Sequence, residues 1–229
     1  MTPTYHDAED MFTENLRDLA SLKDAITAAE VPKIVLLSSI GAHLKEGTGP
    51  ILKLRAMEQL FFDLPISCAS IRAAWFMENF AGLIESTRNS GFLPSFLSPL
   101  DRAIPMVATR DIGKLVARLL QEKWKGVRIV ELEGPRRYSP NDVAGAFEAV
   151  LGRKVVAQPV DRNEWPSIYQ GWGFTPKSAN ATAEMVDGFN RGWIVFEEGE
   201  AEHSSGETSL EEVLGSLEKA KSQAHSSSS

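Results

Sequence analysis

The sequence predicts an α/β protein built on a doubly wound parallel sheet that lacks its opening part and carries a small C-terminal α/β cap. Three observations lead there. Residues 33–71 read as strand, glycine-containing loop, helix and second strand, the crossover unit whose right-handed connection gathers loops at the carboxyl ends of the strands. Both strands are short apolar runs without alternation, the pattern of parallel strands covered on each face. No G-x-G-x-x-G or G-x-x-G-x-x-G turn follows a strand, although such a sheet normally opens with one.

The elements follow in order. Phe12, Leu16, Leu19, Leu22 and Ile26 recur at the three-and-four spacing of one helical face, so residues 10–29 form an amphipathic helix, which Pro32 ends. Residues 33–37, closing on Ser38-Ser39, are a strand buried on both faces, and 40–50, with Gly41, Gly47 and Gly49, are a loop. A helix over 51–62 stops at Leu64-Pro65, and 66–71 is the second buried strand. Thr109-Arg110-Asp111 opens a helix with Leu115, Val116, Leu119 and Leu120 inward, and 127–132 is another strand. Ser139-Pro140 caps a helix that Gly152 terminates. Beyond it come a strand over 153–160, a helix over 163–170 begun by Asp161, and a helix over 181–191 closed by Gly192. The last helix starts on the capping-box pattern of residues 208–211, and the serine-rich end from 222 reads as disordered. These pieces divide into a partial nucleotide-binding domain (1–134), a cap region interleaved with it (135–221) and a tail (222–229).

Composition narrows the function classes. With 229 residues, 43% hydrophobic and 24% charged, the chain can bury a real core. Its net charge of −7, with Lys and Arg scattered, leaves no basic stripe for a nucleic acid. The lone cysteine, Cys68, sits in an apolar run, which rules out an internal disulfide framework and agrees with a cytoplasmic setting. No apolar run is long enough for a membrane span, and the first ten residues lack the pattern of a signal peptide.

Several residues could carry chemistry. Ser38-Ser39 end a buried strand where such folds place ligand contacts, or they cap a turn. His43 in the following loop either faces the crevice as a proton donor or is an exposed loop histidine. Lys53, Arg55 and Glu58 share a helix, and the spacing of Arg55 and Glu58 predicts an ordinary solvated ion pair. Arg72 leads into the aromatic-rich stretch 73–80, where packing or an apolar pocket with one amide would form. His6, His203 and His225 are far apart without paired ligands, so no metal site is expected.

Four stretches taken together resemble the NmrA-like branch of atypical short-chain dehydrogenases/reductases, which carry a Rossmann-like NAD(P)-binding fold. They are KIVLLSSIGAH with GTGPI and RAMEQL; LPISCASIRAAWFMENF; PMVATRDIGKLVARLL with ELEGPRRYSPNDVAGAFEAVLGR; and AEMVDGFNRGWIVFE. They run in the family's order across residues 31–196. Against that pattern, MTPTYHDAED resembles the loop after the fourth strand. Roughly 70 to 80 residues of fold, including the glycine-rich turn, would then have no counterpart. The resemblance implies that Pro3, Ser38, Ser39, Ala73, Ala74 and Phe76 flank NADP or NAD, and that His43, Met77, Asn79 and Phe80 edge a substrate pocket.

The family's usual catalytic tyrosine and lysine, four residues apart, fall at Pro50 and Leu54 by the count from Glu58. Proline has no proton to give and leucine no charge to lower a phenol's pKa. The expected function is that of a relative of NAD(P)H-dependent quinone or azo-type oxidoreductases, with cofactor binding impaired by the missing turn. The alternative is a non-catalytic redox-sensing or regulatory protein on the same fold. The expected partners are a small-molecule substrate or a dinucleotide, and an exposed sheet edge would favour homo-oligomers.

Overall fold

In the computed structural model, which describes residues 6–199 and 201–226, Asp10 starts the chain's first helix by accepting the N–H groups of Phe12 and Thr13. That helix, α1, spans Met11–Ala28. It is followed by β1 (Lys33–Ser39), α2 (Ile51–Phe62), β2 (Ser67–Ala73), β3 (Trp75–Phe76), a 3-10 segment (Met77–Leu83), α3 (Ile84–Ser90), β4 (Phe92–Ser95) and β5 (Ile104–Val107). Then come α4 (Thr109–Gln121), β6 (Val127–Glu133), β7 (Arg137–Tyr138), α5 (Pro140–Leu151), β8 (Val156–Pro159), a 3-10 turn (Arg162–Glu164), α6 (Trp165–Gly171), α7 (Pro176–Asn190), β9 (Glu202–Ser205) and α8 (Leu210–Ser226). The chain divides into two units. One comprises Met1–Ala73, Leu115–Glu131 and Asp161–Ser204, the other Ala74–Lys114, Leu132–Val160 and Ser205–Ser229.

The first unit is organised by a sheet in the order β1-β2-β6-β9. β1 and β2 run parallel, from Lys33 opposite Ser67 to Ser39 opposite Ala73, and α2 is their crossover. Leu19, Leu36, Met57, Phe61 and Cys68 form one apolar cluster, so the two helices cover the sheet by burying a shared stripe. The predicted parallel α/β fold is therefore present. Two details differ. β1 lies at the sheet edge and only Leu36 and Ser38 are fully buried in it, because an edge strand has a neighbour on one side alone. In α1 the inward residues are Met11, Asn15 and Leu19, whereas Leu16 and Leu22 are 55% and 43% exposed; the helix packs through its i, i+4 row, not the wider stripe predicted.

The second unit holds two small sheets. β3 pairs in parallel with β5, β5 pairs antiparallel with β7, and β4 pairs in parallel with β8. Helix α5 begins as predicted at Ser139 with Pro140 behind it, and Gly152 closes it in the left-handed region at φ 66. Its cap is a reciprocal box between Ser139 and Asp142. Of the C-terminal helices, α7 starts at Pro176, earlier than predicted, because Thr175 accepts the Ser178 N–H. α8 is boxed by Ser209 and Glu212, one position beyond the predicted pattern, and continues to Ser226, past the predicted helix end at 221. Leu120, expected inside, is 51% exposed, since the buried face of α4 runs through Ile112, Leu115 and Leu119.

Candidate active site at the carboxyl ends of β1 and β2

The parallel register fixes the site's frame. Ser38 stands opposite Arg72 and Ser39 opposite Ala73. The Ile40 N–H donates to the Ala73 carbonyl at 2.9 Å, carrying the pairing one residue past the strand ends. The Ser39 hydroxyl donates to the Ile40 carbonyl at 3.0 Å, a turn-type contact. Ser38 is different: its side chain is wholly buried and its hydroxyl has no hydrogen-bond partner among the described residues. A buried polar atom left unpaired needs an explanation, and a ligand group is one.

The loop after Ser39 returns to α2 through Gly49. At φ +51, a Cβ there would lie 1.9 Å from the Ala181 carbonyl oxygen, so only glycine lets this loop meet α7. His43 lies in the loop, half-buried, with its Nδ1 buried and unpartnered among the described residues. Burial holds its imidazole below the usual histidine value; the carboxylates of Glu197 and Glu58 oppose that shift, and Arg72 and Arg55 reinforce it. A neutral ring is the result, able to donate one hydrogen bond.

Below the loop, charges are arranged in a way local spacing did not reveal. Arg55 donates to the His43 carbonyl at 2.7 Å and makes no pair with Glu58, which corrects the predicted helical ion pair. Glu58 faces β2, where it receives Arg72 in a two-pronged contact of 3.1 and 2.9 Å and the Ser70 hydroxyl at 2.7 Å. Arg72 also pairs with Glu197. The Glu197 N–H in turn donates to Glu131 at 2.8 Å, and burial raises the Glu131 carboxyl above its ordinary pKa. Lys53, on the same helix, is only 5% exposed and has no hydrogen bond or ion pair among the described residues; burial lowers its ammonium pKa.

Pro3 lies outside the described residues. The other residues named from the sequence divide between the two units. Ala73 is buried at the end of β2 in the first unit. In the second unit Ala74 is buried, Phe76 half-buried, Met77 a fully buried core residue, Asn79 exposed and Phe80 half-buried. Sequence reasoning missed Glu78 there. Its carboxylate accepts the Thr109 N–H at 2.9 Å and the Thr109 hydroxyl at 2.6 Å, which caps the start of α4. Pro50 is the N-cap of α2 without a side-chain bond, and Leu54 packs against the apolar cluster, so neither position offers a proton or a charge. Among the described residues no group of three or more His, Cys, Asp and Glu side chains is placed to hold a metal, and no helix is long and apolar enough to cross a membrane.

A parallel sheet crossed by helices, with hydroxyls and a buried charge network at the carboxyl ends of its strands, defines a doubly wound, Rossmann-like α/β protein. The NmrA-like family's model matches residues 10–193, and the chain belongs to that family. Among curated proteins it is similar to agroclavine dehydrogenase of Claviceps purpurea (strain 20.1), 28% identical over 165 residues, which are 71% of this chain and 55% of that protein. The chain thus spans about half the length of the curated relatives it matches. Among solved structures it is similar to the triphenylmethane reductase of Citrobacter sp., with a TM-score of 0.74 and 20% identity over 95% of this chain and 74% of that one. It is also similar to an NADPH-dependent quinone oxidoreductase of Escherichia coli, with a TM-score of 0.73 and 19% identity over 88% of this chain and 73% of that one. Complexes of these two structures with NADP(H) and NADPH lie among the matches as well. At such identities the structural likeness establishes the fold.

Proposed function

We propose that this chain carries the nicotinamide-side portion of an NAD(P)H-dependent reductase site, acting on a quinone- or dye-like small molecule, and that it binds the dinucleotide weakly or not at all by itself. The carrying observation is the unpartnered, buried Ser38 hydroxyl at the carboxyl end of β1, beside Ser39 and Ala73. It is supported by the NADPH- and NADP(H)-bound relatives named above. This sequence holds no G-x-G-x-x-G or G-x-x-G-x-x-G turn of the kind that presents a helix N-terminus to a pyrophosphate.

A bound nicotinamide dinucleotide would supply hydride. The chain's own part is to hold the ring against Ser38, Ser39 and Ala73 and to offer a hydrogen bond from neutral His43. With Pro50 and Leu54 at the tyrosine and lysine positions, carbonyl reduction through a phenol proton is not available, and substrates that accept hydride without it are favoured. The roles implied for Ala74, Phe76, Met77, Asn79 and Phe80 belong to the same proposal. A second reading, a regulatory or redox-sensing protein, is favoured by Pro50 and Leu54 being a cap and a packing residue.

Titration of the folded chain with reduced nicotinamide mononucleotide, NADPH and NADH separates the claims. The mononucleotide should bind weakly and lose binding on Ser38→Val and Ser39→Ala, with the dinucleotides little tighter. Indifference to both substitutions, or no mononucleotide binding, would sink the site. NADPH binding at micromolar concentration would overturn the impairment, and turnover of a quinone or azo dye would eliminate the regulatory reading.

A further inference from the structure

Within the first unit a cavity of about 650 Å³ opens between the tip of the β1–α2 loop and the last two turns of α7. Its lining includes Glu46, Arg162, Glu184, Asp187, Arg191 and Trp193. The volume falls in the range of small-ligand sites, roughly 300–1,000 Å³. None of these residues belongs to the proposed nicotinamide contacts.

The aromatic wall is held in place by its surroundings. Trp193 is 49% exposed and lines the cavity. Its indole N–H donates to the Glu46 carbonyl at 3.3 Å. Gly47 lies directly beneath at φ +71, a backbone conformation that favours glycine, and a Cβ there would crowd the indole nitrogen at 3.1 Å. These contacts place one edge of the ring against the loop.

The charges select the ligand. Arg162 is committed to Asp187 through contacts of 3.0, 2.9 and 2.8 Å and lies over the Trp165 ring, so that pair cancels. Glu46 and Glu184, both exposed and without an ion pair among the described residues, then stand against Arg191 alone. The carboxyl end of α7 adds the partial negative charge of a helix C-terminus at the same wall. An exposed indole, a carboxylate in excess over Arg191 and a helix C-terminus describe a site for a positively charged group.

We propose that this cavity binds a small organic cation, a quaternary or protonated tertiary amine, with the cation over the Trp193 ring and its charge shared by Glu184 and Glu46. The probe is choline, followed by NMR titration of the wild-type chain alongside its uncharged isostere 3,3-dimethyl-1-butanol and the anion benzoate. Choline should bind saturably, the isostere about threefold to fivefold more weakly, the cation–π range at a partly exposed site. Trp193→Ala should weaken choline by a similar factor. Glu184→Gln, on an exposed helix position that leaves folding untouched, should weaken it about twofold and reduce its salt dependence. Equal binding of choline and the isostere, tighter binding of benzoate through Arg191, no saturable binding, or indifference to Glu184→Gln would each overturn the assignment.

Discussion

Replacing Arg72 by methionine tests the charge network under the site most directly. The Arg72 and Glu58 side chains are 5% and 4% exposed, so their pair belongs to the buried regime. In that regime removing one partner costs about 3–5 kcal/mol, whereas exposed pairs are worth about 0–1. Arg72→Met strands the Glu58 carboxylate with only the Ser70 hydroxyl, while Glu58→Leu leaves Arg72 its contact with Glu197, which is 41% exposed and easily hydrated. The arginine substitution should therefore cost more, about 3–5 kcal/mol against about 1–2 for the glutamate. The double variant should recover most of the loss, since a well-packed apolar replacement of a buried pair is often neutral. Urea unfolding followed by tryptophan fluorescence and circular dichroism, with unchanged slope, gives the three values. An Arg72→Met loss below about 1 kcal/mol, or a double variant no more stable than Arg72→Met, would refute the reasoning.

Other outcomes follow from single contacts. Glu131 is raised in the fold above its ordinary 4.5, so the folded state keeps the proton longer; that stability is present below 4.5 and is lost as pH rises through the raised value. Glu131→Gln should accordingly flatten the thermal stability curve above pH 4.5 and raise Tm at pH 7, and an unchanged pH profile would contradict this. Gly49→Ala adds a methyl 1.9 Å from the Ala181 oxygen and should destabilise by more than the roughly 1–2 kcal/mol of left-handed backbone alone, as read by urea unfolding. The Cys68 thiol is wholly buried and pushed up to about 12, so a disulfide reagent at pH 8 should label it only on unfolding.

The parts of the fold that were legible are those whose signals are local. Ser139, Pro140 and Gly152 specify α5 through capping and backbone preference, and these act within a few residues. The same logic applied to Thr175-Pro176 would have placed the start of α7, which the apolar spacing from Ala181 obscured. For the proposed site, the rule that ligands bind at a strand's carboxyl end put Ser38 and Ser39 in view, and the burial of the Ser38 hydroxyl without a partner among the described residues was not legible. Glu58 was misread because the i, i+3 rule sees only its own helix, and its actual partners, Ser70 and Arg72, lie on the next strand. Lys53 and Glu131 were invisible for a related reason: burial of a charged side chain is decided by what packs over it. Short strands such as β3 and β7, two residues each, carry no periodicity to detect.

The edge of the sheet leads to a last expectation about assembly. Among the described residues β1 is hydrogen-bonded to β2 on one side and to no strand on the other. Edges in soluble proteins are usually guarded by charge, proline or a bulge. β1 reads KIVLLSS, and its only charge, Lys33, is spent on the carbonyls of Leu120 and Glu122 and over the Trp124 ring. Residues 34–39 thus offer an uncharged, unbulged row of backbone donors and acceptors. Antiparallel pairing with the same row of a second copy about a twofold axis would satisfy both rows at once. Light scattering with size exclusion at tens of micromolar should show a dimer or a larger species, and Val35→Lys, which places a charge on that edge, should shift it to monomer. A wild-type chain that is monomeric throughout that range would mean that the edge is protected by something other than its own strand sequence.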